Sequence, residues 1–241
     1  MADRCLLLLA RAGDGVVRAL QQQAPARVAH ASIADLTRAG WRYESGRPEQ
    51  AAACAGGRVI AAEHIAAVVC RIPVVVPSDL PHVHREDRAY VAAEINAFLY
   101  AWLAQFTGVR FNEPSWASLA GPAWHALQWT WFVARLGVPV ANSSLVAAGA
   151  TRSATIRATV VGDDVFDVAD PVLVEYARRI ARAARAELLA VTFVHRGEWR
   201  FLSADPCPDL DSAGAEALLA RAFAPGLSPS IESWAGLCVA V

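Results

Sequence analysis

Cys5 to Ala10 form an unbroken apolar run that stops at Arg11, followed by Gly13-Asp14-Gly15 and a helical pattern at Val16, Val17, Ala19 and Leu20. A run with no polar alternation reads as a buried strand, and the glycine turn leads it into a helix. A second strand is expected at Arg27 to Ile33, and apolar strands at Arg58 to Ala61 and Ile65 to Val69. Between them, residues 40–57 are small and polar and predict a short hairpin or loop around Trp41 and Tyr43. The opening of the chain is therefore α/β.

Pro73, Pro77 and Pro81 then break regular structure and predict a rigid loop from Arg71 to His84. From Glu86 to Phe106 the residues Val91, Ile95, Phe98, Trp102 and Phe106 recur three or four apart, the stripe of a helix facing a core. A second, aromatic helix is expected from Pro122 to Leu136, ended by Gly137 and Pro139. Alternation from Ser153 to Val161, a Gly162-Asp163-Asp164 turn and a return at Val165 to Val168 predict a hairpin. Asp170-Pro171 opens a helix whose buried stripe is Leu173, Tyr176, Ile180 and Ala184. Strands at Glu187 to Val194 and Trp199 to Leu202 are joined by Arg196-Gly197-Glu198 and followed by a helix from Ser212 to Phe223, and the residues after Pro225 read as a tail laid on the surface.

With 241 residues, 55% hydrophobic and 19% charged, the chain is long and apolar enough for a real core, which excludes disorder as its main state. Its formal net charge is −1, so no bulk field draws it to nucleic acid or to an anionic membrane. All 22 basic residues are arginine. That excludes the phosphate-binding lysine of a P-loop and Schiff-base chemistry. No apolar stretch reaches the ~18 residues of a membrane span, and the expected location is the cytoplasm. The five cysteines, with no C-x-x-C pair, fit reduced thiols rather than a zinc site.

The order of several short motifs carries a family resemblance. Val68-Val69-Cys70-Arg71-Ile72-Pro73, Arg88-Ala89-Tyr90-Val91-Ala92-Ala93-Glu94, Phe111-Asn112-Glu113-Pro114 and Ala134-Arg135-Leu136-Gly137-Val138-Pro139 resemble the amino-terminal domain of RimK-like ATP-grasp ligases, above all the branch that crosslinks ribosomally made peptides. Ile156 to Asp163 resembles the arginine-containing strand of that fold, with Arg157 at the arginine. Leu189 to Phe193 and Phe201 to Pro206 resemble its two metal-bearing strands. The resemblance implies a pre-ATP-grasp-like α/β domain at 1–140 and a shortened carboxy-terminal α+β lobe at 141–241.

The departures from that family are as informative. The family lysine that opens the helix reading Pro122 to Gln128 is missing, as is the lysine of its phosphate-gripping strand. Between Val140 and Ser153 only a short connection stands where the family inserts its small nucleotide-binding lobe. The family's acidic metal ligands fall at Thr192 and Ser203, and its asparagine at Asp205. Magnesium bridging of phosphates calls for hard oxygen ligands, so the resemblance implies a truncated member without ligase chemistry, without a cofactor and without catalytic residues.

The candidate site residues are accordingly binding residues: Arg71, His82, His84, Glu94, Asn112, Trp124, Gln128, Trp129 and Arg157. Arg71 ends a strand and Glu94 lies on the apolar side of its helix, which predicts a buried Arg71 to Glu94 ion pair or, alternatively, an Arg71 anchor for an anionic group on a peptide. His82 and His84 alternate about Val83, and in an extended segment both imidazoles would point one way, the start of a metal site. Trp124, Leu127 and Trp131 make one helical face, read as core, with Trp129 off that face and available to a partner or a dimer interface. Arg178, Arg182 and Arg185 form a stripe read as solvated, with Arg179 and Glu175 paired at i,i+4, an acidic peptide partner being the alternative. Cys207, between two prolines, has no histidine at motif distance and reads as an exposed thiol without a catalytic role.

Three readings stay open. The first and preferred is a non-catalytic binding or scaffold protein of a peptide-modifying, natural-product pathway that holds a precursor peptide or a modifying enzyme and assembles as a homodimer or heteromer. The second is a metal-binding accessory subunit or metalloenzyme using His82 and His84. The third, disfavoured by the missing lysines, is a residual ATP-dependent carboxylate-amine ligase.

Overall fold

The computed structural model describes residues 4–141 and 154–224 of the chain. The first half is a parallel sheet in the order β2-β1-β5-β6, from β1 (Cys5–Leu9), β2 (Val28–Ala31), β5 (Ile65–Cys70) and β6 (Val109–Phe111). Both of its faces are covered, which is why β1 needs apolar residues without alternation. Leu7, Leu9, Val68 and Cys70 pack with α3 (Arg88–Gln105). Leu6, Leu8, Ala67 and Val69 pack with α1 (Gly15–Gln23) and α6 (Ser212–Ala222).

The expected hairpin near Trp41 lies a little later, as β3 (Ala52–Ala55) paired with β4 (Arg58–Ala61). Before it, the short α2 (Ile33–Leu36) is closed by a capping box on Ser32 and Asp35, and Trp41 packs edge-on against Trp102 of α3 at 5.6 Å. The proline loop after β5 belongs to this same core. Ile72 and Leu80 are fully buried, and Asn96 of α3 clamps Val75 by accepting from its N–H at 2.9 Å and donating to its carbonyl at 2.8 Å.

The second half is an antiparallel sheet in the order β10-β9-β7-β8, from β7 (Thr155–Val161), β8 (Asp164–Phe166), β9 (Leu188–Arg196) and β10 (Glu198–Asp205). One face packs on α4 (Ala126–Arg135) and α5 (Pro171–Ala183), through Trp129, Val133, Leu173 and Ile180 against Val160, Val191 and Phe201. Asp170 caps α5 as expected, its Oδ1 accepting from the Val172 N–H at 2.9 Å behind Pro171. The two halves share one core, since Val161 and Leu188 join the cluster of Leu6, Leu8 and α6. The tail expected after Pro225 lies outside the described residues.

The aromatic helix is rotated relative to expectation. Trp129 is 3% exposed and is a core residue, whereas Leu127 and Trp131 are 59% and 62% exposed. α4 carries apolar side chains around its circumference, so its spacing does not select a face, and packing against β10 does. The expected ion pair is also corrected: Glu94 is exposed on α3, and Arg71 turns away from it to Asp14. α3 likewise carries apolar residues on every side, and its buried line runs through Ala92, Ile95, Leu99 and Trp102, leaving Glu94 outside.

Candidate functional site

At the carboxyl end of the parallel strands, Arg71 follows β5 and is 8% exposed. Its Nε donates to Oδ2 of Asp14 at 2.8 Å, and its Nη1 donates to the Pro208 carbonyl at 2.6 Å. Asp14 is also the cap of α1, its Oδ1 accepting from the Val16 N–H at 2.9 Å. Strand order diverges between β1 and β5, the place where doubly wound sheets bind ligands. Here an internal ion pair fills that place and the loop after β10 covers it. Arg71 is thus held by Asp14 and Pro208, and not by the Glu94 partner expected for it.

Asn112 follows β6 with a φ of 67° and is buried. Its amide donates to the carbonyls of Ala120 at 3.0 Å, Leu188 at 2.8 Å and Pro206 at 3.1 Å, while its Oδ1 accepts from the Leu188 N–H at 2.9 Å. The side chain thus sews the parallel sheet to both ends of the β9–β10 hairpin. Gly121 allows this, because a Cβ there would lie 2.8 Å from that of Asn112.

Arg157 lies on the outer face of the antiparallel sheet, opposite Thr192, which in turn lies opposite Ser203. A bulge between Phe201 and Ser203 sets that register. Arg157 Nη2 is 3.5 Å from Oδ2 of Asp205, whose Oδ1 accepts from the Cys207 N–H at 2.9 Å. Both oxygens of the single carboxylate are engaged, and its neighbours are hydroxyls. This donor set does not fit a magnesium ion bridging phosphates, and the chain has no lysine to grip them.

His82 lies in a turn and His84 in irregular structure just after it, neither in a strand, and both are exposed. The Nε2 of His82 is 2.9 Å from the Thr37 hydroxyl. Among the described residues no group of three or more His, Cys, Asp and Glu could hold a metal ion.

Cys207, expected to be exposed, is half-buried. Burial pushes the Cys207 thiol up to about 11, against an opposing effect of Arg71, and burial pushes Cys70 up to about 12. Neither is a thiolate near neutral pH.

Trp124 and Gln128, expected as binding residues, do meet in a cleft of about 460 Å³. Its walls also carry Glu113, Pro114, Trp116 and Arg185. Trp124 is half-buried, 4.7 Å from Trp129 and 4.5 Å from Phe132 between ring centroids. Gln128 sits at the start of α4, its Oε1 accepting from the His125 N–H at 3.0 Å. Trp116 was not a candidate from sequence, and Arg185 entered only as part of an arginine stripe read first as solvated and second as a contact for an acidic peptide. The available signal was that Trp116 lies in a Pro/Ser-rich loop with no helical face to bury it.

No family model matches the sequence, and no curated protein matches it. Solved structures do match its fold. The ATP-grasp ligase PsnB complexed with a minimal precursor superposes with a TM-score of 0.66 at 11% identity, over 92% of this chain and 99% of that one. The macrocyclase MdnC from Microcystis aeruginosa MRC, bound with precursor peptide MdnA, gives 0.64 at 10% identity, over 90% and 99%. A RiPP-associated ATP-grasp ligase of Chryseobacterium gregarium, in complex with ADP and a leader and core peptide, gives 0.61 at 8%, over 90% and 96%. The chain has the α/β fold of the ATP-grasp ligases.

Proposed function

We propose that this chain is a truncated, non-catalytic derivative of the ATP-grasp ligase fold that holds a precursor peptide or a modifying enzyme in a peptide-modifying pathway. The observation that carries the reading is the outer face of the β7–β9–β10 sheet. Thr192 and Ser203 stand where the family resemblance implies metal-binding carboxylates, and Asp205 is tied to Arg157 and to the Cys207 N–H. The similarity in fold to ligases crystallised with precursor peptides supports the peptide side of the reading.

The truncation rests on chain length. From Ala141, bonded to Phe201 of β10, the sequence reaches Ala154 through residues 142–153 alone, where the resemblance implies a whole lobe. The same reading divides the protein into an amino-terminal domain at 1–140 and a shortened lobe at 141–241, places it in the cytoplasm and has it assemble as a homodimer or heteromer. Among the described residues no helix is long and apolar enough to cross a membrane.

Calorimetric titration with ATP and magnesium tests it. The expected result is no binding tighter than about 100 μM, roughly −5.5 kcal/mol. Tighter binding with ADP production overturns the non-catalytic reading and revives the ligase one.

A further inference from the structure

We infer that the cleft between Trp116 and Trp124 binds an extended peptide segment that presents a carboxylate to Arg185 beside an aromatic or proline side chain. The inference rests on the peptide-holding part of the function proposed above and assigns it a place and a ligand chemistry. A volume of about 460 Å³ suits a few residues of peptide.

The walls are set before any ligand arrives. Ser115 and Ser118 exchange backbone hydrogen bonds, the Ser115 N–H donating to the Ser118 carbonyl at 2.7 Å and the Ser118 N–H to the Ser115 carbonyl at 3.2 Å. That pinned turn holds Trp116 at 93% exposure, an indole left wholly in water on a rigid support. Pro114 and Pro122 stiffen the same rim, and Trp124 is braced from behind by Trp129 and Phe132. Rigid grooves faced with indoles recognise proline-containing and aromatic segments, because flat rings stack at little cost in conformational entropy.

Arg185 supplies the second, independent observation. It follows α5 with a φ of 52°, in the left-handed position that glycine normally fills. The capping bonds of that motif are present, the Arg185 N–H donating to Arg182 at 3.1 Å and the Ala186 N–H to Ala181 at 2.9 Å. An arginine here strains the backbone with no return to the fold, since among the described residues its guanidinium has no hydrogen-bond or ion-pair partner. Its neighbours differ: Arg182 pairs with Asp163 at 2.9 Å, and Arg221 grips Glu187 through two bonds of 3.0 Å. A planar guanidinium on an apolar wall suits a carboxylate. The Glu113 carboxylate on the same cleft suits the N–H groups of a peptide backbone.

The test uses the blocked pentapeptide acetyl-Ala-Pro-Tyr-Asp-Ala-amide as probe, with versions carrying Asn for Asp or Ala for Tyr. Calorimetry on the full chain is expected to show the first peptide bound and each altered peptide weakened about tenfold or more. Arg185→Gly is expected to weaken the acidic peptide to the level of the Asn version, to leave the Asn version unchanged, and to raise the melting temperature. Arg185→Gln, which keeps the side-chain stem, gives the same binding pattern without the thermal gain. Trp116→Ala weakens all three peptides, whereas Trp131→Ala, outside the cleft, changes none. Silence toward all three peptides at about 5 mM overturns the inference. Peptide binding insensitive to Arg185→Gly and Trp116→Ala overturns the placement while leaving a peptide-holding protein. ATP binding overturns the non-catalytic reading alone.

Discussion

The Nε of Arg71 donates to Oδ2 of Asp14 at 2.8 Å, tying the end of β5 to the cap of α1. A third element joins them, because the same guanidinium holds the Pro208 carbonyl at 2.6 Å from the loop after β10. Removing either partner of a buried ion pair leaves the other uncompensated, so Arg71→Ala is expected to destabilise the protein by about 3–5 kcal/mol. Denaturant unfolding measures this. A loss below about 1 kcal/mol would show that the pair behaves as an exposed one.

Asn112→Ala removes the bonds to Leu188, Ala120 and Pro206 and puts alanine at a φ of 67°. Unpaired buried carbonyls and the left-handed backbone together predict a loss of about 2–4 kcal/mol. Gly121→Ala, whose Cβ would lie 2.8 Å from the Asn112 Cβ, should destabilise in the same way. The double variant should then cost less than the sum of the single ones, since Asn112→Ala removes the Cγ and Nδ2 that the new Cβ would meet at 3.1 Å.

Trp129→Ala empties a core position and is expected to cost about 3–5 kcal/mol, whereas Trp131→Ala should fall within about 0.5 kcal/mol of the parent. Trp131 is 62% exposed and carries the Arg135 guanidinium 4.6 Å from its ring centroid. Equal losses at the two positions would mean that α4 packs by the other face.

Cys70 and Cys207 keep their protons in the folded state up to about 12 and about 11, above the value of a free thiol. In the unfolded chain both ionise near pH 8.5, so their contribution to stability is fully present below that pH. It is lost as pH rises through the folded values, at up to about 1.4 kcal/mol per pH unit for each thiol. Stability curves from pH 8 to 11 should show the decline, and Cys70→Ala should flatten it. Iodoacetamide at pH 8 should modify both thiols far more slowly in native protein than in urea.

The α/β order, the two-sided burial of β1, the Asp170 cap and the turn at Arg196-Gly197-Glu198 were all legible in the chain itself. Each depends on local chemistry: apolar period, a capping carboxylate behind proline, or glycine where φ must be positive. Val109–Phe111, only three residues long, carried too little pattern to be seen as a strand.

What the tertiary structure alone decided is which surfaces meet. Helices α3 and α4 are apolar on more than one side, so only their packing partners place Glu94 and Trp131 in water and Trp129 in the core. The bulge at Phe201 to Ser203 aligns Arg157, Thr192 and Ser203, because a shift of one residue would send each side chain to the opposite face. The cleft joins Trp116 of one loop to Arg185, the residue that ends another helix's cap. Residues so distant in sequence become neighbours only when Asn112 stitches β6 to the first residue of β9, and no local period encodes that contact.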